Sequence, residues 1–236
     1  MRANFVATVC LLILAALKPV PAAQAQPVGQ VVSVGGSSAL LIRPPSVRGS
    51  VILMAGGDGR LLLGPSGEVQ SLINNSVVRT RGSFVAQGYA ALVVDANIDL
   101  RQAVAYMGKV GRPVIVVATS RGTQRAAQGI AAGARPDRLV LTSGFYSDAS
   151  GGRINMMSVL RDPSRLPPTV VIHHRQDGCR LTSPDGVEPF LRWAGSRARV
   201  VWLDGGYSAG DPCGARSYHG FLGIEDQMVE AALGAR

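Results

Sequence analysis

The 236-residue sequence contains little lysine and few aromatic side chains. Lys18 and Lys109 are its lysines, so nearly all of the positive charge is carried by arginine. The formal net charge is +9, and aromatic residues make up 5% of the chain. The arginines are spread along the whole sequence and form no basic run. Nucleic-acid-binding proteins combine a clustered basic surface with stacking aromatic residues. The composition therefore predicts that nucleic acid is not a partner.

Sequence motifs of cofactor and metal sites are also missing. The chain contains no G-x-x-x-x-G-K-[ST], C-x-x-C or H-E-x-x-H segment and no cluster of carboxylates. A glycine-rich stretch at residues 56–59 lacks the spacing of a dinucleotide-binding loop. We therefore expect neither a bound cofactor nor a metal ion.

Long hydrophobic runs are confined to the beginning of the sequence. Arg2 is followed by an apolar run over residues 5–17 and by Ala23-Gln24-Ala25, which is the layout of a secretory signal peptide cleaved after residue 25. The alternative is an uncleaved membrane anchor. The run is shorter than the ~20 residues that a spanning helix needs, and Lys18-Pro19 interrupts it. The pattern therefore favours a signal peptide over residues 1–25.

Cysteine is scarce too, and its positions are informative. Cys10 would be removed with the signal peptide, which leaves Cys179 and Cys213. An exported chain reaches an oxidising compartment, where two thiols are expected to join. We therefore predict that Cys179 and Cys213 form a disulfide. Residues 26–236 are long enough for one domain, which we expect to be periplasmic or secreted and to have no integral membrane segment. The sequence does not indicate the oligomeric state.

Short apolar stretches alternate with amphipathic ones along this domain. Strands are predicted over residues 30–34, 38–43, 51–55, 90–94, 114–117, 139–142, 169–174 and 200–203, and helices over 76–87, 100–110, about 121–132, 187–194 and 222–233. This alternation is typical of β-α units, so we predict an α/β fold with a doubly wound, mostly parallel sheet and helices on both faces. A ligand site is then expected beyond the carboxyl ends of the strands.

The segment Ala118-Thr119-Ser120-Arg121-Gly122 joins a β-branched strand to a helix-forming run. It resembles the G-x-S-x-G nucleophile elbow of the α/β-hydrolase superfamily, with Ala118 in place of the first glycine. So tight a strand-to-helix turn needs small residues on either side of the serine, and it places the serine where helix N–H groups favour developing negative charge. The resemblance implies that Ser120 is a nucleophile; the alternative is a serine that only caps the helix.

The superfamily carries its triad in the order Ser, Asp or Glu, His. Asp177 follows the strand predicted over 169–174, and His219 precedes the last predicted helix. The resemblance implies that His219 is the general base and that Asp177 orients it, whereas His173 and His174 fall within or at the end of a strand. Three further carboxylates remain alternatives for the acid: Asp148, Asp204 and Asp211.

Acyl transfer also needs hydrogen-bond donors for the oxyanion. Superfamily members take one N–H from the residue after the nucleophile, here Arg121. The other comes from the loop after the third strand, here Gly56-Gly57-Asp58-Gly59, where Gly57 is the expected donor and Asp58 the alternative. A Cys179–Cys213 bond would tie the loop of the acid to the loop of the base.

These residues predict an exported serine hydrolase with a Ser-Asp-His triad and an acyl-enzyme. Many superfamily members insert a helical cap where this chain has only residues 144–168, so we expect no large lid and a small-molecule substrate, a small or exposed carboxylic ester. Four apolar residues of that interval either wall the cleft or belong to the core: Phe145, Tyr146, Met156 and Met157. The alternatives are a serine peptidase or amidase of the same fold, or a binding protein without turnover.

Overall fold

A computed structural model describes residues 29–234, so the predicted signal peptide over residues 1–25 lies outside the described residues. Within this range the strands form one eight-stranded sheet in the order β1-β2-β4-β3-β5-β6-β7-β8. The strands are β1 (Gln30–Val34), β2 (Ser37–Ile42), β3 (Gly49–Met54), β4 (Tyr89–Val94), β5 (Val114–Thr119), β6 (Arg138–Thr142), β7 (Thr169–His174) and β8 (Ala198–Leu203).

The sheet is antiparallel only at its β1 edge. β1 pairs antiparallel with β2 and β2 with β4, and all the remaining pairs of neighbouring strands are parallel. Gly35 and Gly36 connect β1 to β2 with φ angles of 60° and 81°, which the two-residue hairpin turn requires. The parallel strands all end at one edge of the sheet, and the candidate site lies there.

Helices cover both faces of the sheet. The helices are α1 (Ser76–Arg79), α2 (Arg81–Ala86), α3 (Leu100–Val110), α4 (Arg121–Ala131), α5 (Met156–Leu160), α6 (Val187–Ala194) and α7 (Glu225–Gly234). Helices α3 to α6 pack on one face with Ile52 and Met54 of β3, and α1, α2 and α7 pack on the other with Val51 and Leu53. The predicted doubly wound α/β fold is therefore confirmed.

Two predicted helices have different bounds in the structure. The helix expected over 76–87 is interrupted at Thr80, whose φ and ψ angles are −91° and 4° and whose hydroxyl donates to the carbonyl of Ser76 at 2.6 Å. The last helix begins at Glu225 instead of residue 222. Phe221 and Gly223 have φ angles of 59° and 84°, which a right-handed helix excludes.

The interval between β6 and β7 holds no large lid. It contains α5 and two single 3₁₀ turns, Asp148–Ser150 and Pro163–Arg165. Tyr146 and Met156 are fully buried in the core and Met157 packs against it, so these three take the structural one of the two possible roles, whereas Phe145 is buried but belongs to neither core cluster. Across residues 29–234, no helix is both long enough and apolar enough to cross a membrane.

Candidate active site

Ser120 occupies a strained position between β5 and α4. Its φ and ψ angles are 51° and −125°, a conformation that costs a residue with a side chain about 1–3 kcal/mol. Its N–H donates to the carbonyl of Thr142 at 3.0 Å, and its carbonyl accepts from the N–H of Thr123 at 2.9 Å. Ser120 is the N-cap residue of α4, but its side chain makes no capping hydrogen bond. The turn presents a half-buried hydroxyl that the helix does not use.

The residues around the serine must be small because two backbones meet there. A Cβ atom on Gly122 would lie 2.4 Å from the carbonyl oxygen of Met54, and one on Gly56 would lie 2.9 Å from Cβ of Ser120. The start of α4 therefore packs directly against the loop that follows β3. Ala118, in place of the first glycine of the motif, is fully buried at the end of β5.

Asp177 and His219 are in direct contact. Nδ1 of His219 lies 3.0 Å from Oδ2 of Asp177, and both residues are buried, with 5% and 6% of their surfaces exposed. The other carboxylate oxygen accepts the N–H of Cys179 at 2.9 Å. An ionised carboxylate beside Nδ1 holds the imidazole proton on that nitrogen and leaves Nε2 as an acceptor. The hydroxyl of Thr182, 3.1 Å from the same Nδ1, adds a second polar contact.

A second imidazole, which sequence reasoning missed, contacts the same carboxylate. His173 is fully buried on β7, and its Nε2 lies 3.2 Å from Oδ2 of Asp177 without forming a hydrogen bond to it. Its Nδ1 lies 3.2 Å from the hydroxyl of Tyr146. Burial raises the pKa of Asp177, but the contacts with His173 and His219 outweigh burial and hold that pKa below its ordinary range. The only feature of the sequence that could have indicated this contact is the position of His173 four residues before Asp177.

The loop that carries His219 is held from several sides. Arg79 of α1 donates to the carbonyls of Gly220 at 2.5 Å and Ala215 at 3.1 Å, and it pairs with Glu225. Ser217 accepts the N–H of His219 at 3.2 Å. The ring of Tyr218 stacks on His174, whose Nε2 lies 2.9 Å from the carbonyl oxygen of Gly205.

Cys179 and Cys213 form the predicted disulfide, with their Cα atoms 4.5 Å apart. Cys179 is two residues beyond Asp177, and Cys213 belongs to the loop that leads to His219. The bond therefore joins the loop after β7 to the loop after β8. A disulfide is typical of chains that reach an oxidising compartment.

The other candidate acids are engaged elsewhere. Asp148 accepts from the side-chain amide of Asn155 at 2.7 Å, Asp204 accepts the N–H of Gly205 at 2.9 Å, and Asp211 accepts the N–H of Cys213 at 2.7 Å. Within residues 29–234 none of these three carboxylates forms a hydrogen bond or an ion pair with His219.

The expected oxyanion donors lie in the two segments that meet at Ser120. Arg121 is the first residue of α4, so its N–H has no partner within the helix. Gly57 has a φ angle of 57° in the loop after β3, where the N–H of Gly59 donates to the carbonyl of Gly56 at 3.1 Å. Arg125 donates to carbonyls of this loop, a contact that the sequence motifs did not predict.

The structure brings two of the three expected triad residues into contact. Ser120 follows β5, Asp177 follows β7 and His219 lies beyond β8, so all three are at the carboxyl edge of the parallel strands. In the described part of the chain, no hydrogen bond joins the hydroxyl of Ser120 to His219. The same part of the chain holds no group of three His, Cys, Asp or Glu residues placed to bind a metal ion.

No protein-family model matches the chain, and no curated protein sequence matches it significantly. Solved structures do match. An α/β serine hydrolase homologue from Coxiella burnetii superposes with a TM-score of 0.59 at 12% identity, covering 90% of this chain and 98% of its own. A serine hydrolase without a lid from Xanthomonas campestris gives 0.59 at 14% identity, covering 88% and 94%. The esterase domain of a Rhodothermus marinus protein gives 0.58 at 14% identity, covering 87% and 95%.

At these identities the comparisons establish the fold. The similar structure from Xanthomonas campestris is described as having no lid, which agrees with the short connection between β6 and β7. The predicted resemblance is therefore confirmed: this chain has the fold of the α/β-hydrolase superfamily, in a form without a large lid.

Proposed function

We propose that this protein is a serine hydrolase that cleaves carboxylic esters, with Ser120 as nucleophile, His219 as general base and Asp177 as the acid that orients the base. The observation that carries the proposal is the 3.0 Å contact between Asp177 and His219 at the sheet edge where Ser120 occupies its strained turn. Strained backbone conformations persist only where the surrounding structure holds them, and they are concentrated at active sites.

The proposed mechanism follows from the proton positions. Asp177 keeps a proton on Nδ1 of His219, so Nε2 accepts the proton of Ser120 as its oxygen attacks the ester carbonyl. The N–H groups of Gly57 and Arg121 stabilise the oxyanion that forms. His219 then donates its proton to the leaving alcohol. In the second half of the reaction His219 takes a proton from water, which attacks the acyl-enzyme, and returns that proton to Ser120 as the carboxylic acid product leaves.

The substrate class is inferred from the short connection between β6 and β7 and from a similar solved structure. The connection between β6 and β7 is short, with one five-residue helix and two single 3₁₀ turns, so no helical cap closes over the serine. Such a site suits small or exposed esters, and one similar structure is an esterase domain. The disulfide supports export to the periplasm or beyond the cell.

A fluorophosphonate probe tests the proposal. We expect the mature protein to be labelled on Ser120 and to hydrolyse acetyl and butyryl nitrophenyl esters, while Ser120→Ala remains folded, takes no label and loses about 10⁴-fold or more in rate. Faster cleavage of peptide anilides than of esters would make the protein an amidase or peptidase instead. A wild-type protein that takes no label and hydrolyses no ester would refute the proposal of a serine hydrolase, and the alternative of a binding protein without turnover would remain.

A further inference from the structure

The side chain of Arg125 lies against the loop that is proposed to bind the oxyanion. Arg125 is on α4, one turn beyond Ser120, and its guanidinium donates to the carbonyls of Ala55, of Gly56 at 3.4 Å and of Gly57 at 3.2 Å. These are three consecutive carbonyls of the segment that follows β3. In the described part of the chain Arg125 forms no ion pair with a carboxylate.

These contacts fix the direction of the N–H groups on the other side of each peptide. A peptide unit is planar and trans, so its C=O and its N–H point in opposite directions. The carbonyl of Gly56 shares a plane with the N–H of Gly57, and the carbonyl of Gly57 shares one with the N–H of Asp58. Holding the two carbonyls therefore orients both N–H groups that are candidates for the oxyanion.

The loop needs such a restraint because of its composition. Gly56, Gly57 and Gly59 give its backbone more conformational freedom than any other residue type would. A Cβ on Gly59 would lie 2.7 Å from Nη2 of Arg125, so the glycine leaves the space that the guanidinium occupies. A planar guanidinium with five N–H donors can bridge several carbonyls, which an ammonium group cannot do in the same geometry.

We infer that Arg125 is a positioning residue for the oxyanion site: it orients the peptide N–H groups of Gly57 and Asp58 by holding the carbonyls of residues 55–57. This inference rests on the proposed function. It adds a residue that touches neither the substrate nor the triad, and it links the helix of the nucleophile to the loop of the oxyanion donors.

The test compares Arg125→Lys with wild-type protein on a nitrophenyl ester. We expect kcat to fall about 10- to 100-fold with KM nearly unchanged, since loss of a whole oxyanion donor costs about 10²–10³-fold. A boronic acid, which forms a tetrahedral adduct with the serine, should bind more weakly by the same factor. A non-hydrolysable ether analogue of the ester, which has no developing oxyanion, should bind as before.

Arg135→Lys is the matched control. Arg135 also donates to two backbone carbonyls, those of Ile130 and Ala134, but at the opposite end of α4. We expect this variant to keep its kcat and its affinity for the boronic acid. If Arg125→Lys fails to fold, Arg125→Ala with added free guanidinium replaces it, and recovery of kcat by guanidinium is the expected result.

Three results would overturn the inference: an Arg125→Lys variant with unchanged kcat and boronic-acid affinity, an equal loss of affinity for the boronic acid and the ether, or no rescue of a folded Arg125→Ala variant. Each is distinct from failure of the proposed function, which shows as a wild-type protein that neither takes the fluorophosphonate label nor hydrolyses esters.

Discussion

Removal of the Cys179–Cys213 disulfide is predicted to affect stability and activity separately. The bond closes a loop with a sequence separation of 34 residues that includes α6 and β8. Loop-closure entropy for this length gives about 3–4 kcal/mol of stabilisation, a large share of the roughly 5–15 kcal/mol that holds a typical domain folded. The variant Cys179→Ala/Cys213→Ala should lose about that much free energy of unfolding.

The effect on activity follows from what the two cysteines hold. The N–H of Cys179 donates to Oδ1 of Asp177 at 2.9 Å. On the other side, Ser217 donates to the carbonyls of Pro212 and Gly214, next to Cys213, and accepts the N–H of His219. The disulfide thus fixes the acid relative to the base. Without it, we expect kcat to fall even at temperatures where the protein remains folded.

The assay is urea unfolding together with steady-state kinetics well below the unfolding transition. Met107→Ala is the control, because Met107 is a fully buried residue of α3 whose carbonyl accepts from Ser50 near the start of β3, and leucine- or methionine-to-alanine changes of this kind cost about 2–5 kcal/mol. This control should lose comparable stability and keep its kcat. An unfolding free energy within about 1 kcal/mol of wild type would refute the loop-closure reasoning. Equal kcat in the double variant and the control would refute the alignment of Asp177 with His219 by the bond.

Two further predictions concern the buried carboxylate and its second imidazole. Asp177→Asn should lower kcat about 10⁴-fold by favouring the wrong tautomer of His219, whereas Asp148→Asn should leave it unchanged; steady-state kinetics that show the reverse would make Asp148 the acid. Burial lowers the pKa of His173, against the opposing effect of Asp177. The unfolded chain then binds a proton below about pH 6.5 that the native protein does not, so stability falls as the pH drops. In urea unfolding at pH 7.5 and 5, His173→Asn should lose less stability on acidification than wild type, and equal losses would contradict this reasoning.

The fold was readable from the sequence because its strands are short, apolar and separated by helices. The β5 segment carries four consecutive β-branched residues and is buried along its whole length, as a central parallel strand requires. The order of the strands was not readable, since neighbours such as β3 and β5 are brought together by crossovers that leave no local pattern. Helix ends were missed where one side chain or one backbone angle decides, as at Thr80 and Gly223.

The candidate site was readable only where residue type and chain order both constrain it. Ser120 is marked by small neighbours at a strand end, and Asp177 and His219 by their places after strands. His173 was assigned to a strand interior, which is correct, but a strand position says nothing about which neighbour its ring meets. Arg79 and Arg125 act through backbone carbonyls of distant loops, and such contacts depend on the tertiary fold alone.

The contacts of the arginines explain why the chain contains much more arginine than lysine. The basic residues form no cluster, so their number does not indicate an anionic partner. In the structure, several arginines instead donate to main-chain carbonyls of other segments: Arg79, Arg125, Arg138, Arg165 and Arg197. A guanidinium satisfies more than one carbonyl in a fixed plane, whereas an ammonium is a strongly hydrated point charge. Arginine here joins segments that are distant in the sequence, and for two of these residues, Arg79 and Arg125, the joined loops carry the proposed base and the proposed oxyanion donors.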